Sequence, residues 1–184
     1  MRIIAGKFRG KVIPSPKEEI VKPTLDRVKE NIFNILQFKI ANSRVLDLFC
    51  GSGALGIECI SRNADYVAFV DNNKANTIAL QNFLTNLKVQ NYEIKNVDFY
   101  DGIKGNCKYD IIFLDPPYES GLAEIAISKI YKFGILNDGG VIVWEHGASK
   151  DTSKFKHKIT DSRKYGSVVV DFLQKEQANV REEI

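Results

Sequence analysis

The run Asp115-Pro116-Pro117-Tyr118 contains the residues best suited to chemistry, and it follows an apolar segment at residues 111–114. Two consecutive prolines fix the backbone and remove two N–H donors, which leaves acceptors in the loop. The Asp115 carboxylate and the Pro116 carbonyl can each accept one N–H of an amino group. Tyr118 offers a ring for base stacking, which contributes about 1–3 kcal/mol. The run therefore indicates a loop that holds the exocyclic amine of a nucleic-acid base for methyl transfer, although Asp and Pro also favour an ordinary strand-ending turn.

A glycine-rich run, Gly51-Ser52-Gly53-Ala54-Leu55-Gly56, lies shortly after Asp47. With Asp71 twenty residues past Gly51, it formally matches the fingerprint of an NAD-type dinucleotide site. Asp47 argues against that interpretation, because a carboxylate beside the loop would repel a pyrophosphate. The same carboxylate would attract the ammonium and sulfonium groups of S-adenosylmethionine, which has no phosphate. We therefore expect S-adenosylmethionine as the cofactor, with an oxidoreductase as the weaker alternative.

Further cofactor contacts are expected where the second and third strands end. Asp71, followed by Asn72, can accept the ribose hydroxyls of either cofactor, so it does not discriminate between them. Asp98 can accept from the adenine amino group and Phe99 can pack on the ring, although Asp98 could instead cap a helical turn. The predicted cofactor site consists of Asp47, Phe49, Gly51, Gly53, Asp71, Asn72, Asp98 and Phe99.

The spacing of apolar residues predicts the elements that would position these groups. A helix should begin near Thr24, a plausible N-cap, and continue to about residue 38. Its apolar face would carry Leu25, Val28, Ile32, Ile35 and Leu36. Strands are predicted at 45–49, 66–70, 92–97, 109–114 and 141–144, with further candidates at 155–160 and 168–173. Helices are predicted at 54–62, 121–133 and 74–87, the last with Ile78, Phe83, Leu84 and Leu87 inward.

This alternation of strands and helices predicts an α/β fold with a parallel sheet and helices on both faces. Ligands in such folds bind beyond the carboxyl ends of the strands. Because Asp47, Asp71, Asp98 and Asp115 follow different strands, we expect them to gather at one edge of the sheet.

Composition and charge limit the remaining possibilities. The 184 residues are 44% hydrophobic and 27% charged, with a net charge of +3, which suits one domain of ordinary size. No segment has the roughly 18 apolar residues of a membrane span, and the first residues lack the apolar run of a signal peptide. Three cysteines and two histidines fit no metal pattern. We expect a monomeric cytoplasmic protein that needs no metal.

Two N-terminal segments carry a resemblance to a known family. Residues 2–11 (RIIAGKFRGK) and 22–33 (KPTLDRVKENIF), together with the glycine loop and Asp115–Tyr118, resemble the RsmD family. Members of that family methylate the exocyclic N2 amine of one guanine in small-subunit (16S) ribosomal RNA. Lys22 and Lys29 stand where the family usually has Arg, and Asn63 where it usually has Gly.

The resemblance implies a Rossmann-like class I methyltransferase with a mainly parallel seven-stranded sheet, S-adenosylmethionine as cofactor, and ribosomal RNA or an assembling small subunit as partner. It also implies that residues 1–38 form a small β-hairpin and a helix that contact RNA beside the catalytic face, ahead of a catalytic core at 44–175. The RNA-binding residues would be Arg2, Lys7, Arg9, Lys11, Lys22, Thr24 and Arg27.

Two of these roles have alternatives in the sequence itself. Thr24 could simply cap the helix, and Arg27 could pair with Asp26 or Glu30 on the same helix. A DNA adenine or cytosine amino methyltransferase would use the same catalytic run. At 184 residues, however, the chain has no room for a separate DNA-recognition domain, which favours the RNA enzyme.

Overall fold

The computed structural model describes residues 1–14, 23–117 and 120–175, with residues 23–25 described by their backbone. The helices are α1 (Pro23–Ile35), α2 (Ala54–Ser61), α3 (Lys74–Asn86), α4 (Phe99–Gly102) and α5 (Leu122–Phe133), with a 3₁₀ turn at Ser153–Phe155. The strands are β1 (Arg44–Leu48), β2 (Tyr66–Val70), β3 (Tyr92–Lys95), β4 (Tyr109–Leu114), β5 (Leu136–Gly147), β6 (Ile159–Tyr165) and β7 (Val168–Leu173). Within the described ranges, no helix combines the length and the apolar character that a membrane crossing would require.

One seven-stranded sheet has the order β3-β2-β1-β4-β5-β7-β6. Strands β1 to β5 pair in parallel, whereas β7 runs antiparallel to both β5 and β6. Successive residues of a buried strand point to opposite faces, so Val45 packs in one core and Leu46 in the other. Helices α1, α2 and α3 cover the first face and α4 and α5 the second. The predicted α/β fold with a mainly parallel sheet is confirmed.

The ladder register places the functional loops at one edge. Leu48 is paired with both Val70 and Leu114, and Leu114 is paired in turn with Trp144. Strands β1, β2 and β4 therefore end at the same level, and the residues that follow them emerge side by side. This confirms that the loops after β1, β2 and β4 gather at the carboxyl edge of the sheet, as expected for a ligand-binding edge.

Several predicted boundaries and side-chain directions are wrong. Helix α1 begins at Pro23 and ends at Ile35, so Thr24 lies in its first turn rather than before it. Proline suits that first position, because the N–H that it lacks would have no helical partner there. Ile35 and Ile78 were expected to face inward, but they are 39% and 51% exposed. The strand expected at 155–160 is also wrong, because Phe155 lies in the 3₁₀ turn and β6 starts at Ile159.

The N-terminal segment is a turn closed by one antiparallel bridge, between Arg2 and Val12. Ile3 N–H donates to the Lys11 carbonyl and Ile13 N–H to the Met1 carbonyl, both at 3.0 Å. Ile3 and Ile13 are buried in the same core as α1 and α2. The segment that resembles a β-hairpin is thus a short bridged turn packed against the catalytic core.

The tip of this turn fits closely against the end of α2. Gly6 has a φ of +80°, and a Cβ there would lie 1.8 Å from the Ser61 carbonyl oxygen. Lys7 N–H donates to that same oxygen at 2.8 Å. Only glycine allows this approach, so the turn has a fixed position along α2.

Candidate active site

Two adjoining cavities open at the carboxyl edge of the sheet. The first is lined by Met1, Lys29, Asp47, Gly51, Ser52 and Glu145, among others. The second is lined by Asp71, Asn72, Asn73, Val97, Asp98 and Phe99, among others. Phe49 and Asp115 line both cavities, so they stand where the two meet. The structure thus brings together all the predicted cofactor residues except Gly53, which lines neither of these two cavities.

Asp47 is a buried carboxylate at the end of β1, with 3% of its surface exposed. Its Oδ2 accepts the Gly56 N–H at 2.9 Å. Burial raises the pKa of Asp47 to about 7; the Gly56 hydrogen bond and Lys29 oppose that rise, and the nearby Asp71 adds to it. A cationic ligand in the first cavity would favour the ionised form, so Asp47 is suited to attract an ammonium or sulfonium group.

Asp71 ties the glycine loop to the end of β2. Its Oδ2 accepts the Gly51 N–H and its Oδ1 accepts the Asn73 N–H, each at 2.7 Å. A carboxylate has about four lone-pair positions, so it can accept ribose hydroxyls in addition. In dinucleotide sites the loop N–H groups point at the phosphates. Here the Gly51 N–H points at Asp71, which further disfavours an NAD-type site.

The loop backbone is strained at Phe49. This aromatic residue has a φ of 69°, in the left-handed region that side chains other than Asn, Asp and His rarely adopt. Its ring lies 5.3 Å from the Phe99 ring, between centroids, and is tilted by 35°. Such strain is typical of functional sites, and here it places a ring at the junction of the two cavities.

The glycines of the fingerprint have different reasons to be glycine. A Cβ on Gly53, whose φ is +74°, would lie 2.7 Å from Cδ1 of Leu80 on α3. A Cβ on Gly56 would lie 2.3 Å from the Phe69 ring. Both glycines therefore allow α2 and α3 to pack closely over the sheet. Gly51 has open space around its Cβ position, so it is the glycine that leaves room for a ligand.

Asp98 and Phe99 begin helix α4, which was not predicted. Asp98 is its N-cap, and its Oδ1 accepts the Tyr100 N–H at 2.9 Å. The capping role considered from the sequence is therefore observed. The cap uses Oδ1, and the residue also lines the second cavity, so capping and ligand binding by Oδ2 are compatible.

The catalytic run is positioned by β4. Asp115 is exposed and lines both cavities, Pro116 is buried, and Pro117 is exposed and lines the second cavity. Tyr118 lies outside the described residues. The Asp115 carboxylate therefore stands where the cavity that contains Asp47 meets the cavity that contains Asp71 and Asp98.

Two lining residues, Glu145 and Lys29, were assigned no role from the sequence. Glu145 lies on β5, one residue after Trp144, and is 9% exposed. Lys29 lies on α1 and is 3% exposed. Lys29 stands in a segment that carries the family resemblance, where the family usually has Arg, and Glu145 is a charged residue directly after the apolar run 141–144; these signals could have indicated a special role.

Lys29 belongs to a buried charge network, which we call the Glu58 cluster (Lys29, Glu58 and Arg62). Lys29 Nζ lies 3.1 Å from Glu58 Oε2, and Arg62 Nε lies 2.9 Å from Glu58 Oε1. Glu58 also accepts the backbone N–H groups of Ile4, at 2.8 Å, and Ala5, at 2.9 Å. Burial lowers the pKa of Lys29, and the Glu58 carboxylate opposes that change. The cluster fastens the N-terminal turn to α1 and α2.

Four of the predicted RNA-binding residues (Arg2, Lys7, Arg9 and Lys11) lie along the N-terminal turn, and Arg27 lies on α1. Met1 lines the first cavity, whereas Lys7 lies beside Ser61, at the far end of α2. Helix α2 has eight residues and is about 12 Å long. Arg2, Lys7, Arg9, Lys11 and Arg27 are exposed; Lys22 lies outside the described residues, and Thr24 is described by its backbone. A substrate that contacted Lys7 and the first cavity together would have to extend along α2.

The sequence of the chain matches a protein family over nearly its whole length. The model of the family described as "Conserved hypothetical protein 95" matches residues 1–174. The chain belongs to this family. The ribosomal RNA small subunit methyltransferase D of Haemophilus influenzae is 38% identical over 165 residues, covering 87% of this chain and 82% of the relative. Its namesake in Escherichia coli K12 is 37% identical over 147 residues, 79% of this chain and 74% of the relative. The resemblance found in the sequence is confirmed.

Solved structures agree with this assignment. The putative methyltransferase yhhF of Escherichia coli superposes with a TM-score of 0.87 at 30% identity, covering 96% of this chain and 99% of that one. A putative methylase of Haemophilus influenzae gives a TM-score of 0.81 at 34% identity, covering 94% and 97%. The expected class I methyltransferase fold is thereby confirmed.

Proposed function

We propose that this protein transfers the methyl group of S-adenosylmethionine to the exocyclic N2 amine of a guanine in small-subunit (16S) ribosomal RNA. The observation that carries the proposal is the position of Asp115, which lines both cavities at the carboxyl edge. With the methionine end of the cofactor in the first cavity and its ribose and adenine in the second, the sulfonium methyl group would lie between them, next to Asp115, which could hold the amine beside it. The names of the relatives, which are small-subunit ribosomal RNA methyltransferases, support the choice of RNA.

The residues of the edge fit this cofactor. The buried Asp47 would attract the ammonium group, Asp71 would accept the ribose hydroxyls, and Asp98 with Phe99 would hold the adenine. The pyrophosphate of a dinucleotide would lie beside the Asp47 carboxylate, which would repel it. When bound, S-adenosylmethionine supplies an activated methyl group, and its sulfur keeps the electron pair of the broken S–C bond.

The contribution of the protein is position and electrostatics. The Asp115 carboxylate and the Pro116 carbonyl would each accept one N–H of the amine, which turns the nitrogen lone pair toward the methyl group. Pro117 lines the second cavity beside them, and Tyr118 would stack on the base. A proton leaves the nitrogen once the N–C bond has formed.

The target base must be unpaired or turned out of its helix, because a base that is stacked and paired within a duplex could not enter the site at the carboxyl edge. We propose ribosomal RNA or an assembling small subunit as the partner, contacted by the N-terminal turn and α1. The chain would act as a monomer in the cytoplasm, as one domain with an N-terminal RNA-contacting part at 1–38 and a catalytic core at 44–175.

Labelled S-adenosylmethionine tests the proposal. The protein is incubated with small-subunit particles, with free 16S RNA and with duplex DNA, the first two from cells that lack the enzyme, and the modified base is mapped. We expect label on N2 of one guanine in RNA, and none with the Asp115→Ala variant. Label on DNA, label on another base, or no transfer to either RNA substrate would overturn the proposal.

A further inference from the structure

We infer that Glu145 reads the N1–H of the target guanine and so selects guanine over adenine and cytosine. The inference rests on the proposed function and assigns a specificity-determining residue to it. Strand β5 places this side chain in the first cavity, beside Asp115.

The register of two parallel strands sets Glu145 beside Asp115. Leu114 on β4 is paired with Trp144 on β5, so Asp115 and Glu145 are the next residues along neighbouring strands. Neighbouring strands lie about 4.8 Å apart. Both residues line the first cavity, together with Asp47. The side chain next to the amine-holding carboxylate is therefore a second carboxylate.

The alternation of β5 explains why Glu145 points toward this cavity. Val143 packs in the core formed with α1 and α2, whereas Trp144 packs in the opposite core with α5. The next residue returns to the face of Val143, which is also the face of Asp47. Glu145 is consequently fixed by a buried strand, and a side chain with 9% exposure has little freedom to turn away.

The chemistry of base edges makes this placement selective. Guanine presents two N2–H donors and, next to them, an N1–H donor. Adenine and cytosine also present an amine, but the neighbouring ring nitrogen is an acceptor. If Asp115 and the Pro116 carbonyl hold the two amine hydrogens, the next atom along the edge is that ring nitrogen. An ionised carboxylate only accepts hydrogen bonds, so Glu145 would bind N1–H of guanine and repel the lone pair of the other two bases.

Burial should make this selection strong. A hydrogen bond to a charged group is stronger than a neutral one, and an unmatched polar group in a buried site costs more than one in water. Sites built to bind a substrate N–H or O–H reject analogues that lack it far more strongly than apolar pockets reject an extra methyl group. Glu145 has one methylene more than Asp115, which gives it reach across the strand spacing.

Base analogues at the mapped position test the inference. RNA carrying guanine, 2,6-diaminopurine or 2-aminopurine at the methylated position is built by ligation, and is reconstituted into particles if free RNA is not the substrate. Both analogues keep the N2 amine and have an acceptor at N1, but they differ at position 6. Methyl transfer is measured as kcat/KM. We expect the wild-type protein to prefer guanine over both analogues by at least about 100-fold.

The Glu145→Gln variant should reverse part of this preference. Its amide still accepts N1–H, so transfer to guanine should fall by no more than about tenfold. The amide can also donate to an acceptor at N1, so transfer to both analogues should rise by about tenfold. The matched control is Glu93→Gln, an exposed glutamate on β3, which should leave the guanine preference unchanged.

The outcomes separate this inference from the function on which it rests. If the wild-type protein labels no guanine in RNA, the proposed function fails. If it labels guanine but methylates the analogues equally well, N1–H is not recognised, and only the role of Glu145 fails. This comparison uses the wild-type protein alone, so it holds even if the variant does not fold. A folded Glu145→Gln protein with wild-type selectivity would overturn the inference as well.

Discussion

Two groups of charge lie on the same face of the sheet, and they are satisfied in opposite ways. The Glu58 cluster combines one buried carboxylate with two cations and two backbone N–H donors. The carboxylate edge (Asp47, Asp115 and Glu145) brings three acids to one cavity. There, Asp47 accepts a backbone N–H, and its pKa is raised mainly by burial, with a further contribution from Asp71.

This difference distinguishes charged residues that stabilise the fold from charged residues that would bind ligands. In the Glu58 cluster, charges that leave water meet opposite charges within the protein, so the cluster holds the N-terminal turn in place. At the carboxylate edge, burial is the main reason that ionisation of Asp47 is disfavoured, and Asp71 adds to this effect while Lys29 opposes it; a cationic cofactor would favour the ionised form. Substitutions in the two groups should therefore affect different measurements.

Replacing Asp115 should have the largest effect, and on catalysis. In Asp115→Ala the amine loses the carboxylate that orients it, so methyl transfer should fall by about 10³-fold or more. Cofactor affinity should change little, because Asp47, Asp71 and Asp98 remain. Single-turnover transfer and calorimetry measure the two quantities, with Asp138→Ala, fully exposed on β5, as the matched control. An equal loss of cofactor affinity would make Asp115 a structural residue.

Replacing Glu58 should affect folding. In Glu58→Gln the buried Lys29 and Arg62 lose their counter-charge, and breaking a buried pair in this way destabilises a protein by about 3 kcal/mol. The free energy of unfolding from urea titration measures the loss. Cofactor affinity of the folded fraction should stay near the wild-type value.

The control for Glu58 is Glu93→Gln, because Glu93 pairs with Lys95 at 3.4 Å while 47% of its side chain is exposed. Exposed pairs contribute about 0–1 kcal/mol, so this variant should remain close to wild type. If Glu58→Gln were equally mild, the N-terminal turn would be held by its apolar residues and not by the cluster.

Strands and helices whose apolar residues recur at a regular spacing can be predicted from the sequence. The central strands and the helices between them show clear periodicity, and the parallel order then places their carboxyl ends together. Asp47, Asp71 and Asp115 could be assigned to one edge because each directly follows or ends such a strand. The grouping of Asp115 with Glu145 could not be predicted, because it depends on the register between β4 and β5.

The wrong predictions also have physical causes that involve contacts between different elements. Ile78 was expected inward, but Gly53 makes room for Leu80 instead. Two residues along a helix lie on nearly opposite sides, so α3 turns Ile78 to solvent. The edge strand β6 is mostly polar, with the sequence ITDSRKY, as edge strands often are. The apolar Phe155, which lies before this strand, packs on Trp144. Because Phe155 is apolar, it was included in the predicted strand, whose start was therefore placed too early.

Replacing Asp47 should stabilise the protein while it weakens cofactor binding. The folded protein holds a proton on Asp47 up to about pH 7, whereas the unfolded chain releases it near 3.8. Stability is therefore lost as pH rises through this window, and the full penalty is present above it. Asp47→Asn removes the penalty and keeps an acceptor for the Gly56 N–H. We expect a gain of up to about 4 kcal/mol at pH 8, with about 2–4 °C in Tm for each kcal/mol, and this gain should shrink toward pH 4.

Cofactor affinity provides the other half of this test. Between pH 6 and 7.5 the wild-type protein should bind S-adenosylmethionine more tightly as Asp47 ionises, and Asp47→Asn should lose about tenfold in affinity together with this pH dependence. Calorimetry at four pH values measures both. A variant that is less stable at pH 8, or that keeps the wild-type pH profile, would show that Asp47 belongs with the structural charges.

The smallest effect is expected at the tip of the N-terminal turn, which the Glu58 cluster anchors. Arg9 is exposed near the far end of α2, so in Arg9→Gln one phosphate contact would be lost while the reacting groups stay in place. The KM for RNA should rise about two- to threefold at low salt, and the salt dependence of RNA binding should fall by about one charge. The exposed Arg163→Gln on β6 is the control, with kcat unchanged in both. If Arg9→Gln leaves the salt dependence unaltered, RNA does not extend along α2, and the Glu58 cluster serves folding alone.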